Sequence, residues 1–167
     1  MDQESKEHEI KKVKKIGKRG YFGIGIYYPK TEYNIGTLWR SAFIFDAAFI
    51  FTIGKRYKKQ CSDTPNSINH IPLYNYQAFE DFYKNIPYGC QLVCIELYNK
   101  ARMLKNFIHP ERAIYLLGAE DYGIPKEILE RHTVVQIDQH QQFSLNVAVA
   151  GSIVINHRYM QSKSDSL

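Results

Sequence analysis

The sequence predicts an α/β fold built on a parallel sheet covered by helices. Three observations predict it. The runs YFGIGIYY (21–28), AFIFTIG (48–54), QLVCIEL (91–97), RAIYLLG (112–118) and TVVQI (133–137) are apolar with no clean alternation, as expected of strands buried on both faces. Helix-length stretches with caps or apolar stripes lie between them, so strand and helix alternate as in layered α/β domains. A chain of 167 residues suits one domain with a sizeable core.

The elements follow in order. Residues 1–19 read as a flexible arm, net acidic to residue 10 and then strongly basic through KKVKKIGKR, which holds Lys11, Lys12, Lys14, Lys15, Lys18 and Arg19. The main domain spans 20–161. After the first strand, NIGTLWRSAFIFDA (34–47) predicts a helix with Asn34 as its N-cap. At about 100° per residue, Ile35, Leu38, Ala42, Phe45 and Phe49 share one side of the helix or its continuation while Arg40 points almost opposite. Gly36 sits one turn before Arg40. The strand at 48–54 leads to KRYKK, a second basic cluster with Lys55, Arg56, Lys58 and Lys59, and to a loop rich in Pro, Asn, Ser and Asp. HIPLYNY (70–76) is at best a short strand. QAFEDFYKNI (77–86) predicts an amphipathic helix, PYG a turn, and 91–97 a strand. A short helix is expected at 101–107, a strand at 112–118, a helix at 125–132 and the last strand at 133–137. The final helix, 144–161, is apolar nearly all round to Ile155 and is therefore expected to be buried. Residues 162–167 are expected to form a flexible tail.

Composition narrows the function classes. The chain is 44% hydrophobic and 23% charged, values of a globular protein. A net charge of +5 permits a polyanionic partner without demanding one. Three cysteines, an odd number without metal spacing, suggest a reduced, cytoplasmic protein. No stretch approaches a membrane span, and no metal site is expected. Gly23 and Gly25 lack the third glycine of a dinucleotide fingerprint, and no phosphate-loop or HExxH motif occurs.

Three stretches carry candidate chemistry. Parallel α/β sheets bind ligands beyond the carboxyl ends of their strands, where Leu117 is expected to lie. In YLLGAEDYGIP, Gly118 lets the chain turn and a ligand approach, Gly123 permits an unusual backbone angle, and Pro125 suits a first helical position. Glu120 faces the crevice mouth, where Asn34 or Arg40 can donate to it. In QQFSLNVAVAG, Ser144 reads as an N-cap and Asn146 as an amide in need of buried partners. Each stretch also has a plain structural reading: a surface arginine beside a tolerated glycine, a tight loop with solvated acids, and a capping network.

Together NIGTLWR, LLGAEDYGIP and SLNVAVA resemble the SpoU/TrmH family, the 2′-O-ribose branch of the SPOUT RNA methyltransferases, over roughly 21–159. The resemblance implies a SPOUT fold with a deep C-terminal trefoil knot, although knots are very rare. It implies S-adenosylmethionine as cofactor, bound by Leu117, Gly118, Ala119, Glu120, Gly123, Ile137, Ser144, Leu145 and Asn146. It implies a homodimer without a large RNA-binding appendage, acting on tRNA or rRNA, with tRNA favoured by analogy with minimal members of the family. Arg40 is implied as the central catalytic residue. An arginine stays protonated, so its expected task is to stabilise the developing alkoxide and grip the adjacent phosphate. Asn34 and Glu120 are implied to orient it, and Ser144 and Asn146 to shape the site. RNA backbone contacts are expected from Arg40 and the two basic clusters. One departure is Asp138, where the family often has proline after the isoleucine of the last strand. The alternatives are a catalytically inactive knotted RNA-binding protein, an α/β enzyme methylating a non-RNA substrate, and a guanine-N1 methyltransferase of another branch.

Overall fold

The structure, a computed structural model, describes residues 20–54 and 70–164. The chain runs β1 (Tyr21–Tyr27), α1 (Glu32–Ile44), β2 (Phe49–Ile53), β3 (Leu73–Tyr76), α2 (Phe79–Lys84) and β4 (Gln91–Ile95). It continues through β5 (Arg102–Met103), β6 (Arg112–Leu117), α3 (Lys126–Leu129), β7 (Thr133–Gln136) and α4 (Val147–Ser164). The strands form one seven-stranded sheet in the order β3-β2-β1-β6-β4-β7-β5, and every pairing is parallel. The α/β class and the parallel sheet expected from the apolar runs are both present.

Two apolar layers sandwich the sheet. On one face α1 and α4 bring Leu38, Trp39, Ala148 and Ile155 against Ile24, Tyr115 and Val135. On the other, Phe82 of α2 and Ile128 and Leu129 of α3 meet Phe51, Leu92, Cys94 and Leu116. The central strands β1, β2, β6 and β4 are buried almost end to end, whereas the edge strand β3 is half exposed. Among the described residues no helix is long and apolar enough to cross a membrane.

Several elements differ from expectation. Helix α1 starts at Glu32, with Thr31 at the N-cap position, so Asn34 lies inside its first turn. In place of a helix at 101–107 stand β5 and a single 3₁₀ turn, Leu104–Asn106. Two bonds favour this: Arg102 joins the β7 ladder, and the Lys105 N–H donates to Asp138 Oδ2 at 2.9 Å. Helix α3 is one turn long, and Pro125 stands at its N-cap position with an extended ψ of 140°, outside the first helical position expected of it. Helix α4 begins three residues later than expected and runs to Ser164, so 162–164 continue the helix. It is not buried all round, since Val149, Ile153 and Met160 are exposed.

A polar cluster lies along α4 and β6, beneath the 108–111 segment. Buried Arg158 donates to the carbonyls of Pro110 and Glu111 at 2.6 and 2.7 Å and to the Tyr115 hydroxyl at 3.1 Å. The His109 ring spans that hydroxyl at 2.6 Å and His157 Nδ1 at 2.8 Å.

Candidate active site

Strands β6, β4 and β7 are neighbours, and their carboxyl ends open on a cavity of about 280 Å³. Of the nine residues expected to hold a cofactor, eight line it: Leu117, Gly118, Ala119, Glu120, Ile137, Ser144, Leu145 and Asn146. Gly123 stands behind the wall. It pairs with Ala119 in an antiparallel bridge through two N–H···O bonds of 2.9 and 3.3 Å, and its φ of +62° is the unusual angle expected of it.

Side chains from three distant parts of the chain meet at the mouth. Asn146 Nδ2 donates to Asn34 Oδ1 at 2.9 Å, and Asn34 Nδ2 donates to Glu120 Oε1. Asn34 is buried, so satisfying both ends of its amide removes a desolvation cost of about 1–3 kcal/mol. Asn146 Oδ1 accepts from the N–H groups of Ala148 and Val149 at 3.0 and 3.2 Å. Asn146 is therefore the N-cap of α4, and Ser144, two residues earlier, is an exposed lining residue. Asn34 caps no helix, because its amide is engaged by Glu120 and Asn146.

Arg40 stands apart. It is exposed on α1 and makes no polar contact with another described residue. Asn34 and Glu120 bond each other and do not touch its guanidinium. The proposed RNA contacts Lys11, Lys12, Lys14, Lys15, Lys18 and Arg19, and Lys55, Arg56, Lys58 and Lys59, lie outside the described residues. Asp138 turns away from the cavity toward Lys105, with its Oδ1 3.4 Å from the ammonium. The Lys105 N–H and then its ammonium hold that carboxyl below its ordinary range.

Sequence reading missed Glu96, at the end of β4. It lines the cavity. Its Oε1 accepts from the Leu97 N–H and its Oε2 from the Ile124 N–H, each at 3.0 Å. Burial raises its pKa, and these two backbone bonds oppose the rise. A Cβ on Gly118 would lie 2.3 Å from Oε2, and one on Gly123 2.6 Å. The two glycines that flank Glu120 and Asp121 thus leave room for a half-buried carboxylate. They answer to Glu96 before they answer to any ligand. Ile95, Leu97, Gln139, Val147 and Ala150 complete the lining that sequence reading did not name.

The donor set fits a nucleoside bearing a positive charge. Leu117, Ile137, Leu145 and Ala150 offer an apolar wall, Gly118 and Ala119 present backbone, and Glu96 supplies a carboxylate. The volume lies just below the ~300–1,000 Å³ typical of small-molecule pockets.

The family model described as SpoU rRNA Methylase family matches residues 22–156. The chain belongs to this family. No curated relative matches it significantly by sequence. Solved structures share the SpoU fold. One, described as giving structural insights into the 2-OH methylation of C/U34 on tRNA, is 23% identical with a TM-score of 0.74, and the match covers 87% of this chain and 99% of that one. An AdoMet-bound rRNA methyltransferase from Sinorhizobium meliloti is 22% identical with a TM-score of 0.76, over 87% of this chain and 60% of that one. A TrmH/SpoU tRNA modifying enzyme from A. aeolicus is 18% identical with a TM-score of 0.76, over 87% and 77%. The SpoU match takes in Asn34, Glu120 and Asn146, the three residues joined at the cavity mouth.

Proposed function

We propose that the protein transfers a methyl group from S-adenosylmethionine to a ribose 2′-hydroxyl of RNA, with tRNA as the preferred substrate. The observation that carries this reading is the Asn146–Asn34–Glu120 chain at the mouth of the carboxyl-end cavity. S-adenosylmethionine supplies the methyl group when bound. The apolar lining holds its adenine, and Gly118 and Ala119 offer backbone groups to its polar atoms. Glu120, Asn34, Ser144 and Asn146 fix the shape of the mouth. Arg40 stabilises the developing negative charge on the 2′-oxygen and holds the neighbouring phosphate. The proton leaves to a phosphate oxygen or to water, since a guanidinium does not serve as a base.

A homodimer suits the outer helices. Tyr33 and Ile44 on α1 and Val149, Ile153 and Met160 on α4 expose apolar side chains. At about 100° per residue Arg40 shares the stripe of Tyr33 and Ile44, so pairing through this face carries the guanidinium to the boundary between copies. A trefoil knot suits the topology, because β7 lies between β4 and β5 although it follows both in the chain. The preference for tRNA draws support from the near-complete coverage of the structure concerned with C/U34 on tRNA. The free thiols of Cys90 and Cys94 suit the cytoplasm.

The test is methylation of tRNA and rRNA in vitro followed by mass spectrometry of the nucleosides. A 2′-O-methyl nucleoside is expected with the parent. Arg40→Ala is expected to lose ~10²-fold or more of the rate while calorimetry shows unchanged S-adenosylmethionine binding. Methyl groups on bases only, or a fully active Arg40→Ala, would overturn the reading.

A further inference from the structure

Glu96 places a fixed negative charge on the wall of the cavity. Its oxygens are held by the Leu97 and Ile124 N–H groups, and Gly118 and Gly123 close against it so that it has little room to turn aside. Each carboxylate oxygen has a further lone pair to offer. Among the described residues no cation pairs with it; the lysines in ion pairs, Lys30, Lys105 and Lys126, are engaged by Asp121, Asp138 and Glu130. The carboxylate is partly removed from water, where charge interactions are stronger than in bulk solvent.

The ligand of the proposed reaction changes charge as it reacts. S-adenosylmethionine carries a permanent sulfonium cation. After transfer the same molecule, less a methyl group, is S-adenosylhomocysteine, whose sulfur is a neutral thioether. A carboxylate in the shared binding wall acts on the difference. We infer that Glu96 is a specificity-determining residue, favouring the sulfonium cofactor over its neutral product and so easing exchange of one for the other. This inference rests on the reading of the cavity as an S-adenosylmethionine site.

The experiment is calorimetric titration of the full-length protein with each ligand, for the parent, Glu96→Gln, Glu96→Ala and Glu96→Asp. The readout is the ratio of the two dissociation constants, product over cofactor. Loss of the wall's support weakens both ligands and cancels in this ratio, whereas loss of the charge does not. Removing the charge is expected to lower the ratio roughly tenfold. Glu96→Gln sets an amide N–H against a backbone N–H, so Glu96→Ala provides a second uncharged variant should the first fail to fold. Glu96→Asp keeps the charge and is expected to keep the ratio while both affinities fall. Equal losses for both ligands in the uncharged variants would overturn the inference and leave Glu96 a brace between two loops. A parent that binds neither ligand would overturn the cofactor reading itself, and with it this inference.

Discussion

Asn34, Glu120 and Asn146 are legible in the sequence as residue types at a ligand-binding crease, but their bonding is not. Asn34 looks like a cap because asparagine before an apolar run usually is one. Its burial and its two side-chain partners are tertiary facts, set by where α1, β6 and α4 come together. Glu96 is illegible for a different reason. An acid just beyond a strand resembles any solvated loop residue until Gly118 and Gly123 are seen against it. The glycines were the available signal, since a pair of them around a crease asks what occupies the space. Gly123→Ala tests this. The left-handed φ of +62° alone costs about 1–2 kcal/mol with a side chain present. The clash with Glu96 adds to it. A double-mutant cycle with Glu96→Ala, read by urea unfolding, is expected to show a coupling of roughly 0.5–3 kcal/mol. Additive effects would show that the two positions do not share the space.

Helix α4 shows how far an element can be read from its own residues. Its existence and apolar character are plain in the sequence, and its start lies three residues later than the sequence predicts because Ser144 and Asn146 are both good caps. The choice between them is made by Asn34, which accepts from Asn146 and sets its amide so that Oδ1 faces Ala148 and Val149. Asn146→Ala is expected to cost about 1 kcal/mol for the lost cap, and about 1–3 kcal/mol more if Asn34 Oδ1 is left without a donor. Ser144→Ala is expected to leave thermal stability nearly unchanged. Thermal unfolding of the two variants side by side measures the contrast; a larger loss from Ser144→Ala would move the cap back to that residue. The same tertiary override removed the expected helix at 101–107, where pairing with β7 outweighed the local preference.

For the molecule as a whole, the polar cluster around Arg158 ties stability to pH. Burial foremost, then His157 and Arg158, push the pKa of His109 down to about 3 from an ordinary 6.5. Between those values the unfolded chain binds the proton and the folded one does not. Stability from this site is fully present above about pH 6.5 and is lost as pH falls toward 3. Urea unfolding from pH 7 down to 4 is expected to show the decline, and His109→Gln to flatten it. An unchanged slope in the variant would assign the acid sensitivity elsewhere. This cluster is not legible in the sequence, because His109, Tyr115, His157 and Arg158 come together only after β6 and α4 have packed.

The position of β7 bears on how the chain reaches its native state. Its two neighbours, β4 and β5, precede it by dozens of residues. A partly synthesised chain that stops short of β7 has a gap in its sheet and an unpaired, apolar margin on β4, the kind of edge that invites association with other chains. Closing that gap joins segments remote in sequence, a slow event by the usual dependence of rate on contact distance. The last quarter of the polypeptide therefore governs both the speed of maturation and the hazard of aggregation along the way, while also supplying Ile137, Ser144 and Asn146 to the cavity.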